Sequence, residues 1–225
     1  MLSYLTIYGL MFFYYSLFFL TIATCHKSGG GQLRDIISGK GEPGILFTRL
    51  IAGIFFLGLC AATISEKRNI DGEIFTPAWC EYQTPVWVLT AAAIVTGTLS
   101  ASKELFHPEN SDHSLPLYLP LSFILVRTLF LIVYEFFFRG VMLFVMIEDI
   151  GVILAVIINL ILYMVIHWFD KKERYGSLFM GIILCAVSIY YRSVWPAILI
   201  HLSLALSNEI SLLLINKSHI KKSLS

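Results

Sequence analysis

Seven stretches of this chain are apolar over lengths that suit a membrane crossing, and this repetition constrains the fold more than any other feature. They run approximately over residues 2–24, 45–63, 85–100, 117–147, 151–168, 176–191 and 195–216. A helix needs about 20 apolar residues to cross a bilayer, so the third and sixth segments are short and the fourth is long. Composition agrees, with 57% hydrophobic and 14% charged residues, against roughly 25% charged in an ordinary soluble domain. The expected fold is all-α, a polytopic transmembrane helical bundle of about seven spans, with the lipid bilayer as its partner. With a net charge of only +1, no nucleic-acid partner is expected.

The connectors carry turn chemistry: KSGGGQLRDIISGKGEPG, SEKRNIDGEIFTPAWCEYQ, SKELFHPENSDHSLP and DKKERYG, followed by the tail KSHIKKSLS. The first apolar segment has no Lys or Arg ahead of it and no small-residue cleavage pattern after it, so it is expected to remain as an anchor. The organisation expected is N-terminal helices and loops over 1–116, a helical core over 117–216 and a polar tail over 217–225. Connectors at 25–44, 101–116 and 169–175, with the tail, hold ten Lys and Arg, while the opposite set holds three. The positive-inside rule then puts the N-terminus outside and the C-terminus in the cytoplasm, as in a bacterial inner membrane. Cys25, Cys60, Cys80 and Cys185 are scattered, without CxxC or metal-like spacing, and read as small apolar fillers. His107, Asp112 and His113 read as a solvated loop.

Ionisable residues at membrane depth cost about 2.5 kcal/mol or more, and usually face a protein interior or a wet cavity. Here they are Arg49, Arg127, Glu135, Arg139, His167, His201 and Glu209. Arg49 lies near the start of its span and reads as a snorkelling anchor. Glu135 and Arg139 stand at i and i+4 in YEFFFRG, so they can pair on one helix face. That pair alone could be a structural link. Histidines in two further spans, His167 and His201, widen the possibilities: a glutamate can accept a proton from water, one imidazole can orient it, and another can stabilise an oxyanion.

YEFFFRG resembles the EExxxR motif of the CPBP intramembrane proteases, also called the Abi or CAAX-protease family. YMVIH, residues 163–167, is similar to the family's FxxxH with Tyr in place of Phe. SLFMGIILCAVSIYYRSVWPAILIH is similar to the segment leading into its HxxxN motif. The resemblance covers roughly residues 117–210. It implies a metal-free glutamic endopeptidase without a cofactor, acting on a protein or peptide substrate at the membrane. On that reading Glu135 activates a water, His167 helps hold it, His201 stabilises the oxyanion and Arg139 fixes the Glu135 carboxylate.

Two positions depart from the pattern. Tyr134 stands where the first glutamate of EExxxR is expected, and Ala205 stands where HxxxN has Asn. Asn208, two turns beyond His201 on the same helix face, is a candidate replacement for the missing amide or a polar residue packing between helices. Alternatives from other classes are a catalytically silent immunity or scaffold relative and a small transporter. HExxH, GxGD and GxS with a partner histidine are absent. Two His and a carboxylate could also hold zinc.

Helical rise gives an independent depth estimate. Counted from Asp149, Glu135 lies ~21 Å and His167 ~27 Å away, at 1.5 Å per residue. His201 lies only ~10 Å from the Arg192–Pro196 break. Either that break is sunk into the protein or the helices tilt strongly.

Overall fold

The computed structural model describes residues 4–28, 32–68, 70, 72–75, 84–105 and 118–223, and throughout these the regular structure is helical. Cys80 and the residues His107, Asp112 and His113 lie outside the described residues. In order, the helices are α1 (Tyr4–Lys27), α2 (Leu33–Ile37), α3 (Pro43–Arg68), α4 (Thr84–Leu105), α5 (Tyr118–Glu135), α6 (Leu143–Ile150), α7 (Val152–Ile166), α8 (Lys171–Tyr191) and α9 (Trp195–Ser223). A π-helical segment, Phe136–Met142, joins α5 to α6. A 3-10 turn, Gly72–Phe75, comes after α3.

Six helical stretches are long and apolar enough to cross a membrane, and α7 is a shorter apolar helix beside them. The chain is an integral, multi-pass membrane protein. Two expected connectors carry more structure than turn chemistry suggested: α2 lies within 25–44, and the Gly72–Phe75 turn within the connector after α3. α9 continues to Ser223, so most of the polar tail is helical.

The stretch Leu119–Ile150 is the central one. Its apolar window is 72% buried, whereas those of the other five spans are 17–33% buried. Around it, α3 packs on α1 and α5, α9 on α4, α5 and α8, and α7 on α6 and α8. Phe18, Leu50, Leu57, Leu131, Phe137 and Phe138 form the interior. Phe12, Phe55, Leu121, Ile153 and Phe179 are exposed on the outer faces, where hydrocarbon replaces water as the solvent.

At the end opposite α2 the bundle is latched by Asp149, which accepts hydrogen bonds from Tyr8 and Arg68. This latch sits beside the sharp reversal between α6 and α7, where Gly151 adopts φ 82°. Positive φ is freely available to glycine, so the two helices can turn back without a longer loop.

Close approach of α4 and α9 depends on Gly97. A Cβ there would overlap the Ser207 hydroxyl and the Leu204 carbonyl. Small residues let membrane helices pack backbone to backbone.

Candidate functional site

The π-helical segment sets the site. Leu143 N–H reaches back five residues to the Phe138 carbonyl, and this widened turn rotates the side chains of α6 from where a continuous α-helix would put them. The buried Asn159 amide donates to the same carbonyl at 2.8 Å, supporting the irregularity from α7. Arg139 is thereby held fully buried, with its guanidinium carbon 4.0 Å from the centre of the Tyr163 ring. Gly181 on α8 packs closely against α7, where a Cβ would stand 2.8 Å from Leu160 Cδ2, and lies next to the guanidinium.

Glu135 is also fully buried, and its two oxygens face two different cations or potential cations. Oε2 lies 3.4 Å from Arg139 Nε, and Oε1 lies 2.6 Å from His201 Nδ1. The i and i+4 pairing expected from the sequence is therefore present, and α9 adds a third member. A buried carboxylate without such partners would be very costly.

His201 reaches this depth because the α8–α9 break is sunk into the protein, the first of the two alternatives read from the sequence. Ser193 and Val194 are buried. The Gly72–Phe75 turn folds over them: Val194 N–H donates to the Ile74 carbonyl at 3.1 Å, and Trp195 Nε1 donates to the Phe75 carbonyl at 2.7 Å. Phe75 in turn stacks on Phe136, with ring centres 4.4 Å apart. Arg192, at φ 47°, makes the tight reversal.

A cavity of about 390 Å³ lies beside this pair, lined by His201, His167, Tyr134 and Tyr163 among others. Tyr163 stands between the imidazoles, its ring centre 5.3 Å from that of His167 and 6.4 Å from that of His201. Glu135 does not line the cavity but sits behind His201. His167 closes the C-terminal end of α7, with Nδ1 3.4 Å from Glu173 Oε2 and Nε2 buried without a hydrogen-bond partner.

Tyr134 faces the cavity, packs edge-on against His201 with ring centres 6.1 Å apart, and has a buried hydroxyl without a partner. Asn208 and Ala205 line the same cavity, and the Asn208 amide donates to the Gly97 carbonyl at 3.2 Å. Arg49 lines it as well, so this side chain turns inward instead of snorkelling outward. Further along, Arg127 Nε and Glu209 Oε1 pair at 2.8 Å, joining α5 to α9.

Sequence reading missed Glu173 as a neighbour of His167. It lies in the charged run DKKERYG, whose composition gives no sign that one carboxylate turns toward a histidine. The Arg127 and Glu209 partnership was equally hidden, because the two are far apart in sequence and only helix packing joins them.

Residues 116–207 match a protein family described as Rce1-like, type II CAAX prenyl endopeptidase. Over these residues, which make up less than half of the chain, the protein is similar to that family. No curated protein and no solved structure matches the chain. The matched segment contains Glu135, Arg139, His167 and His201 and ends one residue before Asn208. The matched family is described as one of endopeptidases. Helices α1–α4 lie outside the matched segment, yet Arg49 and Gly97 complete the cavity wall.

Proposed function

We propose that this protein hydrolyses a peptide bond of a membrane-associated or lipid-anchored protein in the cavity shared by His167 and His201, without a metal ion. The observation that carries the reading is the placement of two imidazoles on one cavity, one of them tied to a buried glutamate at 2.6 Å. The cavity reaches the connectors at 25–44 and 169–175 through Gln32, Arg34 and Asp170. Those connectors are rich in Lys and Arg, which puts the opening, like the C-terminus, on the cytoplasmic side.

In this proposal His167 Nε2, which has no protein partner, takes a proton from water as the oxygen attacks the scissile carbonyl. His201, held as an imidazolium with its Nδ1–H toward the Glu135 carboxylate, donates Nε2–H to the oxyanion that forms. Glu135, between His201 and Arg139, holds that ring in orientation for the donation. When the C–N bond breaks, the proton on His167 passes to the leaving amine, giving a carboxylic acid and a free amine, which exchange a proton on release. The sequence expectation gave water's proton to Glu135 directly. With that carboxylate behind His201, its role here is to support an imidazole, and proton acceptance passes to His167.

Zinc could in principle activate the water instead, but among the described residues no group of three His, Cys, Asp or Glu side chains is arranged to hold a metal. A second reading, a silent immunity or scaffold relative, draws on Tyr134 and Ala205, which line the cavity where the family motifs have glutamate and asparagine. An ion-path reading has less support, because Glu135 and Glu209 each face an arginine. Purified protein in proteoliposomes, offered a prenylated CAAX peptide, separates these. Cleavage that survives chelation in protein without stoichiometric zinc supports the metal-free protease. Loss of activity with loss of zinc supports a metalloprotease. An inert wild-type protein supports the silent relative.

A further inference from the structure

Glu173 occupies a position whose usual partner is already satisfied. Asp170 and Glu173 have the spacing of a helix capping box, with Asp170 at the N-cap of α8: Glu173 N–H donates to Asp170 Oδ1 at 3.1 Å. In the complete box the glutamate side chain reaches back to the N-cap N–H. Here the Asp170 N–H instead donates to the His167 carbonyl at 3.3 Å. The Glu173 carboxylate is diverted, with Oε2 at 3.4 Å from His167 Nδ1 and Oε1 accepting from Gln32 Nε2 at 2.6 Å. Arg34 Nη2 donates to Asp170 Oδ2 at 3.1 Å, so the segment around α2 clamps the whole α7–α8 turn.

We infer that Glu173 is a positioning residue for His167, with Gln32 as its anchor. A carboxylate accepts only, so it keeps the ring proton on Nδ1 and leaves the lone pair on Nε2, which has no partner among the protein groups. The spacing also accounts for a glutamate in an otherwise lysine- and arginine-rich turn, DKKERYG. The helix cap requires Asp170, and the imidazole requires Glu173. The inference rests on the reading that His167 serves as the base, and its structural half is measurable apart from catalysis.

The experiment uses full-length protein in detergent with ¹⁵N-labelled histidine, His167 being assigned by its loss in His167→Gln. In wild type the His167 nitrogens report the Nδ1–H tautomer. In Glu173→Ala they move toward a mixed or Nε2–H tautomer. In Glu173→Gln, whose amide oxygen still accepts from Nδ1–H, they stay. In the peptide assay Glu173→Ala lowers kcat about tenfold, less than the ~10² of a lost general base because His167 itself remains, and leaves KM within about twofold. Glu173→Gln restores most of that loss. A His167 tautomer unchanged by Glu173→Ala overturns the inference whether or not the protein cleaves peptide. A tautomer that moves in protein without any wild-type cleavage upholds the Glu173 coupling and overturns the protease reading alone.

Discussion

Glu135 and His201 meet at 2.6 Å across α5 and α9, and the glutamate's other oxygen faces Arg139. Removing the carboxylate strands a fully buried guanidinium, which costs about 3–5 kcal/mol when a buried pair loses one partner. Glu135→Gln is expected to lower both the unfolding temperature and the cleavage rate. Glu135→Gln with Arg139→Gln should recover most of the stability but not the rate. Thermal unfolding in detergent, read beside peptide cleavage, checks this. Full activity in folded Glu135→Gln would leave the pair a purely structural role.

Tyr134 presents a hydroxyl that is buried and has no partner, while its ring packs against Phe138, Tyr163 and His201. Tyr134→Phe keeps the ring and removes the unpaired group. Stability should hold or rise by up to about 1 kcal/mol, since an unsatisfied buried donor is itself a cost. The cleavage rate should stay within about threefold, far from the ~10² loss of a missing general base. A loss that large in Tyr134→Phe would give the hydroxyl a direct part in the chemistry.

Much of this arrangement was legible in the chain itself. Continuous apolar runs marked the spans, and the four-residue spacing of Glu135 and Arg139 put them on one face. His167 and His201 stood out because buried imidazoles are costly in lipid. What remained hidden depends on packing between distant segments. The Gly72–Phe75 turn sinks the α8–α9 break through two hydrogen bonds. Asn159 supports the π-helical segment from another helix. Glu173 finds His167 only because the Asp170 N–H is already taken. None of these partners is separable by composition from an ordinary loop or helix residue.

Gly97 and Asn208 make one contact between α4 and α9. Gly97→Ala forces the helices apart and should cost about 1–3 kcal/mol, the usual range for overpacking. Asn208→Ala should cost about 0.6 kcal/mol, the average measured for membrane hydrogen bonds, and at most about 1.7 kcal/mol. Its cleavage rate should change little if the amide only packs. Unfolding temperatures of the two variants test the contact, and a large fall in kcat for a stable Asn208→Ala would show that the amide acts on substrate.

Asp170 gives the fold an acid-sensitive clamp. Burial pushes its carboxyl upward, but the Glu173 backbone N–H and the Arg34 guanidinium outweigh that and hold it below its ordinary value. A group depressed on folding adds stability above its unfolded pKa, about 3.9, and that contribution disappears as pH falls through the folded value. Wild type should therefore exceed Asp170→Asn in unfolding temperature at pH 6, with the gap closing as pH falls from about 4. A gap that stays constant down to about pH 2.5 would remove the charge from the account.

The pair of histidines on one cavity is the central claim, and single-turnover cleavage by purified, folded His167→Ala and His201→Ala measures it most directly. Wild type should cleave the assay peptide, and each variant should be slower by at least ~10², as expected when a general base or an oxyanion donor is lost. Wild-type rates in either folded variant, or no cleavage by wild type itself, would contradict it.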